Sequence, residues 1–180
     1  IDAFLSAIDG IRVETGEKAI LAKSRDFYWY SPVLKRKLDA VRADVVACPA
    51  TEAEVLRVLA AAHALGIPVT PRGAGTGNYG QAMPLAGGVV LDLRGLDAIT
   101  AIRPGVVTCG AGALMGDIDE ACRKEGWELR MHPSTKETAT IGGFIAGGSG
   151  GVGSLRWGAL RDPGNILRVR LATMEAEPKL

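Results

Sequence analysis

The stretch Pro71-Arg-Gly-Ala-Gly-Thr-Gly-Asn-Tyr-Gly80 decides how the chain is read. It follows Ile67-Pro-Val-Thr70, a short β-branched run with the character of a buried strand. Four glycines in ten residues, leaving a strand end, make a loop whose backbone can take φ > 0 and turn successive N–H groups into one concavity. Such a concavity holds phosphate oxygens. A phosphate-bearing ligand is therefore the first functional expectation, and a plain structural loop is the equal alternative until the rest of the chain is weighed.

The segment Gly75-Thr-Gly-Asn-Tyr-Gly80 also matches GxGxxG, the dinucleotide fingerprint in which the loop opens a helix that leads to a second strand. That helix has no room here. Only residues 81–88 separate the last glycine from the next apolar run, Val89-Val-Leu-Asp-Leu93, and they include Pro84 and the pair Gly87-Gly88, all helix breakers. The Rossmann match is rejected, while the phosphate-cradling backbone is kept.

Upstream, Asp44 to Cys48 reads as a strand stopped by Pro49, and Thr51-Glu-Ala-Glu54 as a capping box. The helix it starts runs to about Leu65, with Val55, Leu56, Val58, Leu59, Ala62 and Leu65 as its apolar stripe and Gly66 as its left-handed terminator. Strand, helix and strand make a βαβ unit whose carboxyl edge carries the glycine loop, the edge at which open α/β sheets bind ligands. Val89 to Leu93 supplies a third strand.

Beyond it the pattern changes. Ile99 to Arg103, Pro104-Gly105 and Val106 to Cys109 predict a hairpin, and residues 113–125 a second helix with Leu114, Ile118 and Cys122 on one face. Trp127 to Leu129 and Ile166 to Ala172 are further strand candidates. Between them lies a second ligand signature, His132-Pro-Ser-Thr135, then Thr138-Ala-Thr-Ile-Gly-Gly143 and a glycine-rich run to Gly153. Thr140 is placed to cap a short helix from Ile141, whose free N–H groups favour an anion. A flexible flap is the alternative, but it leaves Phe144 and Ile145 unexplained.

Ahead of all this, residues 1–41 form an N-terminal segment with an amphipathic stretch around Phe4, Leu5 and Ile8 and the cluster Phe27-Tyr-Trp-Tyr30. The cluster reads as an arm packed across the domain, with a binding face as the alternative. Lys35-Arg-Lys37 reads as a solvated charge run.

The 180 residues suffice for one large domain or two subdomains, and a formal charge of +1 argues against nucleic acid or an anionic membrane as main partner. The 24 glycines exceed ordinary usage, and seven of them fall between Gly142 and Gly153. Cys48, Cys109 and Cys122 lack CxxC spacing and read as reduced thiols, which suggests a cytoplasmic setting. No apolar run has membrane-spanning length, no signal peptide is visible, and no metal-ligand cluster is present. His63, inside the first long helix, reads as structural or exposed, and His132 as a candidate neighbour of the ligand at the second signature.

Taken in order, Pro71-Arg-Gly-Ala-Gly-Thr-Gly77, Gly87-Gly-Val-Val-Leu-Asp-Leu93, Pro133-Ser134, Thr140-Ile-Gly-Gly143 and Trp157-Gly158 to Asp162 resemble the FAD-binding half of the vanillyl-alcohol oxidase family. The likeness is nearest to its glycolate oxidase and D-lactate dehydrogenase branch and covers about residues 44–173. It implies a PCMH-type fold of mixed α/β and α+β character, a small parallel βαβ subdomain (42–93) followed by a mainly antiparallel one with helices (94–180). It also implies non-covalent FAD. Arg72, Gly73, Ala74, Gly75, Thr76, Gly77 and Asn78 would wrap the pyrophosphate. Pro133, Ser134, Thr140, Ile141, Gly142 and Gly143 would line the other side, with Gly147, Gly150, Gly151 and Ile166 nearer the rest of the cofactor. For Arg72, neutralising phosphate and packing across the loop are equally open.

The implied activity is oxidation of a 2-hydroxy acid, with the α-carbon hydride passing to flavin N5. A non-catalytic subunit that uses the fold for binding is the alternative, and a nucleotide-sugar reductase is a third. Three departures matter. Thr76 stands where relatives with covalent flavin carry a histidine, and Trp157 stands where a tyrosine is usual. The cap domain that in relatives supplies the substrate pocket and catalytic base is expected to lie outside residues 1–180. A partner subunit is possible in this branch, and Arg130, Arg156 and Arg161 read as loop or surface residues.

Overall fold

The computed structural model describes residues 1–148 and 150–180. They fall into two compact units, one of Ile1–Gly95 with Arg170–Leu180 and one of Leu96–Val169.

The first unit begins with helix α1 (Asp2–Ala7), strand β1 (Val13–Glu14), helix α2 (Glu17–Lys23), a 3-10 turn at Tyr28–Tyr30 and helix α3 (Pro32–Leu38). Strand β2 (Val45–Ala47), helix α4 (Glu52–Ala64) and strands β3 (Val69–Arg72) and β4 (Val89–Asp92) follow. The sheet order is β1-β2-β4-β3, with β2, β4 and β3 parallel and β1 antiparallel at the edge. Every residue of β2 and β4 is buried, as expected of parallel strands covered on both faces. β4 lies between the two strands of the βαβ unit, so the expected third strand is central.

Helix α4 starts where the capping box predicts. Thr51 Oγ1 accepts from Glu54 N at 3.2 Å, and Glu54 Oε2 accepts from Ala50 N at 2.7 Å. Its buried residues, Val55, Val58, Leu59 and Ala62, fall at helical spacing on one face, and each of the larger ones contributes about 1.5–3 kcal/mol of burial. Residues 81–88 contain no helix, which agrees with the rejection of a Rossmann turn.

Residues 1–41, the N-terminal segment, are built into this unit. β1 pairs Val13 with Ala47, Phe4 and Ile8 are in the core, and Arg57 of α4 donates to the carbonyls of Ile8 and Asp9. Of the aromatic cluster only Tyr28 goes inside, its hydroxyl donating to Asp39 at 2.7 Å, while Phe27, Trp29 and Tyr30 stay exposed against one another.

The second unit opens with the predicted hairpin, β5 (Ile99–Arg103) and β6 (Val106–Cys109), with an irregularity at Ile99/Ala101. Helices α5 (Met115–Lys124), α6 (Ile141–Gly147) and α7 (Ser154–Trp157) follow. The α5 face Ile118 and Cys122, with Ala113, packs against Ile99, Ile102, Val107 and Cys109 of the hairpin. Met115, Met131, Phe144 and Leu160 make a second cluster, so the apolar pair inside the glycine run is core.

Two strand expectations are corrected. Residues 127–129 form no ladder because Leu129 N donates to the Asp119 carboxylate instead. Residues 166–172 are irregular, with Leu167, Val169 and Leu171 exposed, since alternation makes no strand without an edge to pair with.

Candidate functional site

In the first unit the glycine loop leaves the carboxyl end of β3 as the sequence predicts. Its N–H groups from Ala74 to Asn78 donate to no protein acceptor among the described residues. Five adjacent donors have no protein partner, in residues that are half-buried except for exposed Asn78, and are open to an acceptor from outside the chain. Gly75 takes φ +71°.

Arg72, the last residue of β3, is 8% exposed and runs back under the loop. Its Nη1 donates to Arg25 O at 2.7 Å and Nη2 more weakly to Ala74 O at 3.4 Å, while Nε is buried without a partner. No carboxylate lies within salt-bridge distance of it among the described residues. A Cβ on Gly75 would fall 2.1–2.3 Å from the guanidinium, so this glycine is required by the arginine beneath it. Burial pulls the Arg72 pKa down from its ordinary value, although Asp92 and Asp26 oppose the shift. A buried cation that meets only carbonyls is costly unless an anion completes it. Arg72 thus packs across the loop, with its positive charge behind the free N–H groups.

Asp92, at the end of β4, is 3% exposed and shared between Lys23 and a bidentate Arg94 at 2.9–3.2 Å. Burial raises its pKa, with the Arg94 N–H and the nearby arginines opposing.

Sequence reasoning missed the segment that holds the loop in place. Arg25 O receives Arg72 Nη1, Phe27 N donates to Gly77 O at 2.7 Å, and the Asp26 carboxylate accepts Gly80 N at 2.9 Å and Tyr28 N at 2.8 Å. Asp26 and Gly80 are 54 residues apart, and no local pattern announces such a pairing. α3 backs the same point, with Leu38 Cδ1 only 2.8 Å from where a Gly80 Cβ would be.

In the second unit the structure brings Pro133, Ser134, Thr140, Ile141, Gly142 and Gly143 onto one continuous turn and helix start. Asp119, buried on α5, accepts Leu129 N, Lys136 Nζ and Arg123 Nε, each at 2.9 Å, and so ties both ends of the turn. Burial alone would raise the Asp119 pKa, but the Leu129 N–H and the two cations outweigh it and hold the carboxyl at about 2.

The free helix start expected at Thr140 is corrected. Thr140 does cap α6, accepting Gly143 N at 3.3 Å, but Ile141 N and Gly142 N are spent on the carbonyls of Ala113 and Ala111. A Cβ on Gly142 would lie 2.7 Å from Ala111 O, so chain packing explains this glycine. Gly151 is likewise pressed against His132 O by the His132–Val152 bridge, whereas Gly147 and Gly150 are exposed. Ile166 packs against the Met115 cluster. Arg130 and Arg156 both stack on Trp157, at 4.9 and 4.8 Å.

A parallel βαβ sheet with an anion-receptive glycine loop at its carboxyl edge, followed by a hairpin and helices, defines a nucleotide-cofactor domain outside the Rossmann class. The chain belongs to the FAD binding domain family, whose model matches residues 43–177. It is 38% identical over 119 residues to a D-lactate dehydrogenase of Archaeoglobus fulgidus, covering 66% of this chain and 27% of that one. It is 31% identical over 128 residues to the glycolate oxidase subunit GlcD of Bacillus subtilis, covering 66% and 26%. Among solved structures, an alkyldihydroxyacetonephosphate synthase superposes over the whole chain and 34% of its own length, with TM-score 0.84 at 19% identity. The chain thus spans about a quarter of the length of the curated relatives it matches.

FAD is the cofactor of this family, and the first unit fits its pyrophosphate. The five N–H groups offer donors to phosphate oxygens, and the buried guanidinium offers the compensating charge.

Proposed function

We propose that this chain is the FAD-holding part of an oxidoreductase acting on a 2-hydroxy acid. The observation that carries the proposal is the run of unpartnered N–H groups from Ala74 to Asn78 over the buried, carboxylate-free Arg72. Here the main-chain N–H groups of Ala74 to Asn78 hold the pyrophosphate, with Gly73 in the same loop and Arg72 supplying positive charge behind them. Pro133 and Ser134, with the exposed glycines Gly143, Gly147 and Gly150, which carry no side chain, offer surface to the rest of the cofactor. Thr140, Ile141, Gly142, Gly151 and Ile166 act from behind as the packed support of that surface, since their N–H groups or side chains are engaged within the chain.

Bound FAD supplies the two-electron acceptor for the hydride on the substrate's α-carbon. Thr76 offers no nucleophilic ring nitrogen, which supports a flavin held without a covalent link. The substrate class is supported by relatives named for D-lactate, glycolate and D-2-hydroxyglutarate. A partner subunit is supported by the name of the glycolate oxidase relative, and a cytoplasmic setting by three cysteines that form no disulfide.

The test is anaerobic mixing of FAD-loaded protein, expressed from its complete reading frame, with D-lactate, glycolate and D-2-hydroxyglutarate. Bleaching of the oxidised-flavin band by one of them is expected at about 1 per second or faster. FAD-loaded protein that none of the three reduces overturns the substrate class.

A further inference from the structure

The family match begins at residue 43, yet three contacts that fix the glycine loop come from residues 25–27. We infer that Asp26 is a positioning residue for the FAD pyrophosphate, and that the segment Arg25 to Tyr28 is part of the cofactor site. The inference rests on the proposal that the loop holds FAD.

The geometry is that of a clamp on both ends and the middle of one loop. Arg25 O holds Arg72 at the start, Phe27 N holds the Gly77 carbonyl in the middle, and Asp26 Oδ2 holds Gly80 N at the end. The other Asp26 oxygen, Oδ1, takes Tyr28 N, and Tyr28 is fully buried with its hydroxyl on Asp39. The carboxylate therefore bridges an immobile core residue and the mobile kind of backbone that glycine makes. Asp26 is itself 5% exposed and makes no salt bridge among the described residues.

With Gly77 O and Gly80 N both turned toward residues 26 and 27, the N–H groups between Ala74 and Asn78 are left unpartnered. That is the pre-organised state a pyrophosphate needs. Without the clamp a glycine loop samples many conformations, and the cost of ordering it is charged to binding. The carboxylate's negative charge works against an anionic ligand. Asp26→Asn removes that charge, so any tightening in this variant would show repulsion dominating over positioning.

The experiment compares Asp26→Ala, Asp26→Asn and a control, Arg57→Met, in the full chain. The control unties the same N-terminal segment from α4 without touching the loop. Three quantities are read: FAD dissociation constant, 31P shifts of bound FAD, and hydrogen exchange of the Gly80 and Tyr28 amides. Asp26→Ala is expected to weaken FAD by about tenfold to hundredfold, the worth of a charged hydrogen bond, and Asp26→Asn by less. Both should move the 31P resonances and speed exchange at Gly80, while Arg57→Met lowers the melting temperature with FAD affinity unchanged. If Asp26→Ala does not fold, Asp26→Asn carries the test. Unchanged or tighter FAD binding in a folded Asp26 variant whose Gly80 amide has lost protection overturns the inference alone. Wild-type protein that binds no FAD overturns the cofactor reading and the inference with it.

Discussion

Gly75→Ala adds one methyl group at the point where the loop crosses Arg72, and the structure fixes what that methyl must do. Gly75 has φ +71°, a conformation that costs a side chain about 1–2 kcal/mol. The new Cβ would also lie 2.1 Å from Arg72 Nη1, so the guanidinium must leave its bond to Arg25 O, worth about 1.5–3 kcal/mol. Together these come to about 2.5–5 kcal/mol, or a fall in melting temperature of roughly 5–20 °C for a chain of this size. Gly105→Ala is the matched control, because Gly105 has φ +75° and nothing within 4 Å of a Cβ. It should lose only the strain, about 1–2 kcal/mol. Thermal melts and FAD titrations of the two variants separate strain from collision. Gly75→Ala should also weaken FAD by about tenfold or more, and Gly105→Ala should leave affinity as it was. Equal melting temperatures and equal affinities in the two variants would refute the placement of Arg72 under the loop.

Arg72→Met should move stability and binding in opposite directions. The protein without FAD should melt within about 1 kcal/mol of wild type or higher, because removing a buried, incompletely paired charge offsets the loss of its bond to Arg25 O, while FAD binding weakens by about tenfold or more because the positive charge behind the loop N–H groups is gone. Asp119 should mark the acid limb of a pH melt. Its pKa, held at about 2 against an ordinary 3.8, contributes about 2 kcal/mol that is fully present above pH ~4 and lost as pH falls through about 2. In Asp119→Asn that part of the acid limb should vanish. Since Thr76 cannot form a histidyl link, acid precipitation should release all the flavin, and mass measurement of the denatured chain should show the mass of the polypeptide alone.

The parallel unit was legible because its signals are local. The Thr51 to Glu54 capping box, the α4 stripe and the glycines after Thr70 each announce their element within a few residues. What escaped was set by contacts across long separations. Arg25 lies 47 residues from Arg72 in the chain, and its contribution is a carbonyl, which every residue carries. The α6 start was misread for a related reason. Sequence shows that Thr140 can cap a helix, but it cannot show that the carbonyls of Ala111 and Ala113 take the next two N–H groups. The tail from Ile166 alternates like a strand, and only the absence of a neighbouring edge among the described residues denies it that form.

The most direct test of the central claim is an amide NMR titration of the chain with FAD and, separately, with riboflavin, which lacks the pyrophosphate. If the loop N–H groups hold phosphate, saturating FAD moves the Ala74 to Asn78 amide resonances downfield and riboflavin leaves them in place. Loop resonances that do not respond to saturating FAD would contradict the account.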